Sequence, residues 1–323
     1  MPGRSTYSIQ APAAVVMVRP HHFTVNTETA ADNRFQARWA AGEDLGPLAF
    51  AEITRAAETL RSHGVDVHLF EDMGTETPDS VFPNNWFSTH AGGHVAIYPM
   101  KAESRRRERR SDVVEMLKAR YRVQEVIDYS GLEPDGLFLE GTGAMVLDHI
   151  DRVAYAVRSD RTDAIALERF STHFGFEPMV FDARDGDGVP VYHTNVLMCV
   201  ATDFAMIGLG MLTDPARRQE IVARLERSGR RVIALSNDQI ARFAGNALEL
   251  QGRKGRILAL SATALAALDE AQLAAIEESA TLVALDIPTI ERARRIGPLH
   301  AGRHPLDAAG VSRPGTSRQS RST

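Results

Sequence analysis

Cysteine is almost absent: Cys199 is the single thiol among 323 residues. No internal disulfide can form and no CxxC metal motif exists, which fits a reducing cytoplasm. Long apolar runs are missing too, since none approaches the roughly 20 residues that cross a bilayer. The brief run from Ala13 to Val18 leads into Arg19-Pro20 and reads as a first strand, not a signal peptide. There is no excess of positive charge: the net charge is −5, which gives no electrostatic case for nucleic acid. No HExxH and no glycine loop that cradles phosphate after a strand is found, so neither a metal nor an organic cofactor is implied. The partner these absences leave is a small molecule, and assembly into identical subunits stays open.

What remains is a globular composition, 44% hydrophobic and 24% charged, enough to bury one large core or two small ones. One basic cluster, KAESRRRERRSD at 101–112, interrupts it. Glu103 and Glu108 compensate part of its charge. It opens an amphipathic run to Arg120 and reads as a solvated helix face rather than a phosphate site.

The organising pattern is an internal repeat. Four times, two strand-like runs flank a polar turn, and an amphipathic helix and a further apolar strand follow. The units begin at NWFSTHAGGHVAIYPM, GAMVLDHIDRVAYAVRS, HTNVLMCVATDFAMIGL and GNALELQGRKGRILALS. The segment AVVMVRP, the helix PLAFAEITRAAETLRSHG and the strand VDVHLF make a less regular fifth copy. The hairpins alternate with period 2 and the helices repeat at i, i+3, i+4 and i+7. One ββαβ unit cannot bury its own faces, but five around an axis can. The expected organisation is an extension over 1–13, one α/β domain over 14–292, and an aberrant tail over 293–323.

The repeats, with FPNNWFSTH, LEGTGAMVLD, HTNVLM and FAGNALEL at successive strand mouths, resemble the guanidino-group-modifying superfamily. Its members include arginine deiminases, dimethylarginine hydrolases and amidinotransferases. More narrowly, the chain is similar to the deiminase-related group that contains citrulline utilization hydrolases. The resemblance runs from about Ala14 to Ile290 and implies a five-bladed α/β propeller, the pentein fold. It implies a Cys thiolate that attacks a guanidine or ureido carbon, a His general acid/base, and carboxylates that hold the substrate's NH groups.

By motif, His193 matches the family His and Glu140 the family carboxylate. Gly141 and Gly143 would let the backbone approach the substrate. Asn85 stands where deiminases carry the Asp of F-x-R-D, and Asn195 where they carry the Asp of H-x-D. Those carboxylates face a guanidinium cation. A neutral ureido group would leave a buried carboxylate without a counter-charge, whereas an amide offers a donor and an acceptor. The two amides, with Asn84 beside them, therefore point to a ureido substrate such as citrulline. The competing reading makes them turn formers. Arg161, in an S-x-R-T-like RSDRT, and Arg19 are candidates for a substrate carboxylate, with surface ion pairing as the alternative for both. Phe82 is a candidate pocket wall, with apolar packing as the alternative. Asn246 is expected to shape the backbone at the fourth strand mouth.

The family nucleophile lies in a G-G-S-x-R-C-M type segment after the last strand. Here ERARRIGPLHAGRHPLDAAG follows instead, without cysteine. Cys199 reads as a small buried hydrophobe, too far along its strand from His193 to substitute. Ordinary codons for Arg294 to Ala301, read one base later, permit Gly-Gly-Ser-Val-Arg-Cys-Met, with the Cys codon straddling Leu299 and His300. A frameshift near Ala293 would account for the loss. The chain as written is then an impaired ureido hydrolase. The alternatives are a deiminase or amidinotransferase acting on an arginine derivative, and a non-catalytic binder of an amino acid or protein.

Overall fold

The computed structural model describes residues 9–26, 28–29, 45–293 and 302–304. The chain enters as β1 (Ala14–Pro20), crosses through the helix Gly46–Ser62 and returns parallel as β2 (Asp66–Asp72). Three-stranded sheets follow: β3 (Phe87–His90), β4 (His94–Ile97), β5 (Glu125–Asp128), then β6 (Met145–Asp148), β7 (Val153–Val157), β8 (Glu177–Phe181). The next are β9 (Met198–Val200), β10 (Phe204–Ile207), β11 (Arg231–Ala234), and β12 (Leu248–Gly252), β13 (Gly255–Ser261), β14 (Thr281–Leu285). In each, the first two strands form an antiparallel hairpin and the third runs parallel to the second. β15 (Gly302–His304) pairs antiparallel with β1, so the two ends of the described chain share the fifth sheet. The five-bladed α/β architecture read from the repeats is the observed fold.

Crossover helices begin where short polar side chains can take orphan N–H groups. Asp163 accepts from Ile165 N and Ala166 N, and Asp214 accepts from Ala216 N. Asp269 and Gln272 close a reciprocal capping box. Apolar stripes on these helices pack onto the sheets; Ile221 and Leu225, for example, join the cluster around β10.

Two readings are corrected here. The amphipathic run that the basic cluster opens, ending at Arg120, is two helices, Glu103–Arg106 and Ser111–Arg120, and Arg110 between them is extended. The basic cluster is also more than a solvated face. Arg105 is fully buried and Arg109 is clamped on Glu133, while Arg107 stays exposed. The extension, too, is built in where it is described. Gln10 Nε2 donates to the carbonyls of Leu147 (3.0 Å) and Val200 (2.9 Å), and His149 N donates to Gln10 Oε1 (2.8 Å). It fastens the second and third sheets at the end of the axis remote from the strand mouths.

Among the described residues, no helix is long and apolar enough to cross a membrane. The nucleophile segment and most of the expected aberrant tail lie outside the described residues.

Candidate active site

Three inner strands are entered through a single helical turn: Pro83–Asn85 before β3, Gly141–Ala144 before β6, and Thr194–Val196 before β9. Turns of this kind leave N–H and C=O groups at the strand mouth, and here hydroxyls lace them together. Thr142 Oγ1 donates to the Asn84 carbonyl at 3.4 Å, and Thr194 Oγ1 donates to the Ala144 carbonyl at 2.5 Å. Val157 N donates to the same Thr194 oxygen at 2.7 Å. Neither threonine is a candidate on residue type alone; the signal is their offset, two residues after Glu140 and one after His193.

The glycines of GTG do not face open space. Gly141 has φ +44°, and a Cβ there would strike the Asn84 carbonyl oxygen. A Cβ on Gly143 would strike the Asn85 side-chain amide and stand 3.0 Å from both Cε1 and Nδ1 of His193. The close approach expected toward substrate is thus made to the neighbouring turns. Gly143 has no unusual φ, and alanine is ordinarily the better helix former. Gly143→Ala is therefore expected to destabilise by about 1–3 kcal/mol through overpacking alone. A urea titration checks this; an unchanged or raised midpoint would mean that the turns part freely.

Glu140, His193 and Arg161 come together, all but inaccessible to solvent. Glu140 Oε2 lies 2.9 Å from His193 Nε2 and 3.2 Å from Arg161 Nη1. Its Oε1 accepts from Lys101 N at 3.2 Å and from Arg161 Nη1 at 3.4 Å. Burial would raise this carboxyl, but the Arg161 guanidinium, the His193 hydrogen bond and charge, and Arg105 outweigh it and hold it well below the usual range. An ionised carboxylate only accepts, so His193 carries its proton on Nε2, and Nδ1 is the nitrogen that can take one. Arg161 stacks 5.3 Å from the Tyr192 ring, and Tyr192 packs on the His193 ring at 4.7 Å. Four contacts occupy the Glu140 oxygens, so in this arrangement the carboxylate orients His193 and anchors Arg161.

The paired amides are buried. Asn84 and Asn85 meet side chain to side chain at 3.0 Å. The Asn85 oxygen accepts from Arg105 Nη1 at 2.5 Å and Nη2 at 3.3 Å, the orientation that the arginine requires, and Asn84 must then turn its own side-chain oxygen toward Asn85 Nδ2. Arg105 also donates to the Phe82 carbonyl at 3.3 Å and clasps Glu108 through Nε and Nη2 at 2.8–3.1 Å. Arg105 had no motif to mark it; the only hint was a Glu three residues on within a basic run.

Other candidates lie apart from this constellation. The Phe82 ring is in the apolar cluster of β1 and the helix Gly46–Ser62. Arg19 is partly exposed, paired with Glu71, donating to Thr54 Oγ1 at 3.1 Å and lying 4.4 Å over Phe50. Asn195 and Cys199 line an enclosed cavity of about 10 Å³, room for no more than one water. Cys199 sits mid-strand, opposite Met206 in the core. Asn246 is buried at the fourth mouth. Among the described residues, no group of three or more His, Cys, Asp or Glu could hold a metal ion, and His90 and His94 simply flank the turn of one hairpin.

A family model described as N,N dimethylarginine dimethylhydrolase, eukaryotic, matches residues 19–294. The N-terminal domain of ArgZ, an arginine dihydrolase from the ornithine–ammonia cycle in cyanobacteria, aligns as a substrate-bound cysteine-to-serine variant with TM-score 0.67 at 16% identity, covering 91% of this chain and 97% of that one. Unliganded AgrE aligns with TM-score 0.69 at 17% identity, over 92% of this chain and 39% of that one. A dimethylarginine hydrolase from Pseudomonas aeruginosa, complexed with citrulline, gives 0.58 at 14% identity, over 88% and 96%. A comparison with curated proteins finds no match.

Proposed function

We propose, for a chain that belongs to the N,N-dimethylarginine dimethylhydrolase family of guanidino-group hydrolases, that its site is built for the ureido group of an arginine-related amino acid, with citrulline the preferred ligand. What supports this reading is the buried Glu140–His193 pair at 2.9 Å, set beside an amide, Asn85, where a cation-binding site would carry a carboxylate.

In this reading Glu140 fixes the His193 tautomer and stabilises the imidazolium when Nδ1 takes a proton. A thiolate adds to the ureido carbon, and ammonia leaves with a proton from His193. Water activated by the same nitrogen hydrolyses the thiocarbamate to a carbamate, which loses carbon dioxide and frees the amine. The neutral amide at Asn85 matches a neutral substrate. Arg161 holds Glu140 through Nη1 in this arrangement.

The thiolate is the missing part. Cys199 is packed in the core, and we attribute the loss of a thiol at the last strand mouth to a frameshift near Ala293. The nucleotide sequence across codons 290–310 decides it: the shifted frame must encode cysteine at Leu299/His300. The restored chain is expected to release ammonia from L-citrulline at least about tenfold faster than from L-arginine or N,N-dimethylarginine, with the chain as written inactive on all three. The tenfold figure corresponds to one mismatched hydrogen bond to a charged group. Preference for either guanidine would replace this reading with a deiminase-type or dimethylarginine-type one.

A second reading follows from the absent thiol: the chain binds an amino acid without turning it over. Thermal stabilisation by L-citrulline, with no ammonia release even after the cysteine is restored, would favour it.

A further inference from the structure

We infer that Arg105 sets the polarity of Asn85, turning an amide that could donate or accept into one that offers only its N–H groups to the site. This positioning role rests on the ureido reading above and sharpens it.

The geometry is specific. Arg105 is wholly enclosed, and its guanidinium meets Glu108, the Phe82 carbonyl and the Asn85 side chain. Asp79 lies 3.9 Å from Nε. Burial works against its charge, but Glu108, Asp79 and Glu140 outweigh this and raise its pKa, so it stays a cation. A guanidinium has donors and no acceptor. At 2.5 Å from Nη1, the Asn85 amide must therefore present oxygen. The Nδ2 end is left against Asn84, whose own amide must turn its oxygen toward it, on the side where Gly143 and the His193 ring approach.

The consequence concerns specificity. With one N–H of Asn85 held by Asn84, the other, on the side of Gly143 and His193, suits the carbonyl oxygen of a ureido group and opposes the N–H groups of a guanidinium. With Asp at this position, one oxygen would still bind Arg105, and the other would face the site as an acceptor for a cation. The same arginine thus supports either preference, and the atom type at position 85 decides which is read out.

The test uses the full chain, since binding needs no thiol. NMR with selectively labelled Asn should show nuclear Overhauser contacts from the Asn85 Nδ2 protons to Gly143 Hα and His193 Hε1. Contacts to the Arg105 Hη protons instead would overturn the orientation. Calorimetric titration with L-citrulline and with L-arginine then gives a ratio of affinities, which a purely structural defect would not move. Asn85→Asp should shift that ratio toward arginine by roughly tenfold or more. The paired variant Arg105→Gln/Glu108→Gln removes both charges together and should bring the ratio close to one. A ratio unchanged in both variants overturns the specificity role, even if either loses stability. Native protein that binds neither amino acid while showing the predicted contacts refutes the ureido reading and upholds Arg105 as the residue that orients Asn85.

Discussion

Glu140→Gln is expected to lower the unfolding free energy by about 3–5 kcal/mol, the usual cost of breaking one side of a buried ion pair. For a domain of this size that is a fall in Tm on the order of 10 °C. The side chain is isosteric, so lost packing contributes little. Arg161 keeps its charge, two per cent exposed, but loses its counter-ion. Gln can still accept from Lys101 N and present an N–H to His193, yet that N–H now meets the protonated Nε2 face and forces the other tautomer. Removing both charges should be milder: Glu140→Gln with Arg161→Met is expected to cost at least about 1 kcal/mol less than Glu140→Gln alone. Urea unfolding of the three variants measures this directly. Equal losses for the single and double variants would mean that the pair carries no electrostatic coupling, and that Glu140 matters only as a scaffold for His193.

The same ledger of contacts changes how the site residues divide. Motif position alone gave Glu140 to the substrate. Its oxygens are occupied by His193, Arg161 and the Lys101 amide, so in this arrangement the carboxylate holds its protein neighbours. The GTG glycines likewise admit the Asn84–Asn85 turn and the His193 ring, not a ligand. Close approach was the right physical reason for glycine, and the wrong partner was assigned to it.

The fold was legible because the repeat is periodic at two scales. Alternation marks the hairpins, and a 3.6 period marks the crossover helices, once in each unit. Pairing across the chain ends was not legible. β15 joins β1 across almost the whole length of the sequence, and three residues carry no periodicity. The candidate constellation was legible where a motif marks a polar residue at a strand mouth: Glu140 and His193 meet, as do Asn84 and Asn85. Arg105, Thr142 and Thr194 were invisible because they act by geometry. A buried arginine inside SRRRERR looks like its exposed neighbours until Glu108 is seen to lie beneath it. Arg19 and Phe82 are plausible types whose partners, Glu71 and the core around Val15, hold them outside the constellation.

Between pH 6.5 and about pH 4 the protein is expected to lose stability with a slope of roughly 1.4 kcal/mol per pH unit from one residue, His90. Its ring is buried among Phe174 at 4.1 Å, Phe170 at 5.6 Å and Phe176 at 6.1 Å. Nε2 meets Ser88 Oγ at 2.7 Å, and that oxygen is 2.6 Å from the Tyr98 hydroxyl. Nδ1 has no partner. Burial, with smaller contributions from Arg152 and His94, pushes the imidazole down to about 3. In the unfolded chain it titrates near 6.5. Below that value the unfolded state takes up a proton that the folded state refuses, so acid favours unfolding, and the stabilising difference is complete only above pH 6.5. His68, also lowered by burial, contributes with the same sign. Carboxylates complicate the range below about pH 5, so the decisive interval is pH 6.5 to 5. There, urea midpoints of the parent chain should fall faster than those of His90→Gln, which keeps a polar end for Ser88 and cannot titrate. Parallel curves would show that His90 is protonated in the folded protein as readily as in the unfolded one, and that the aromatic cage does not exclude its charge.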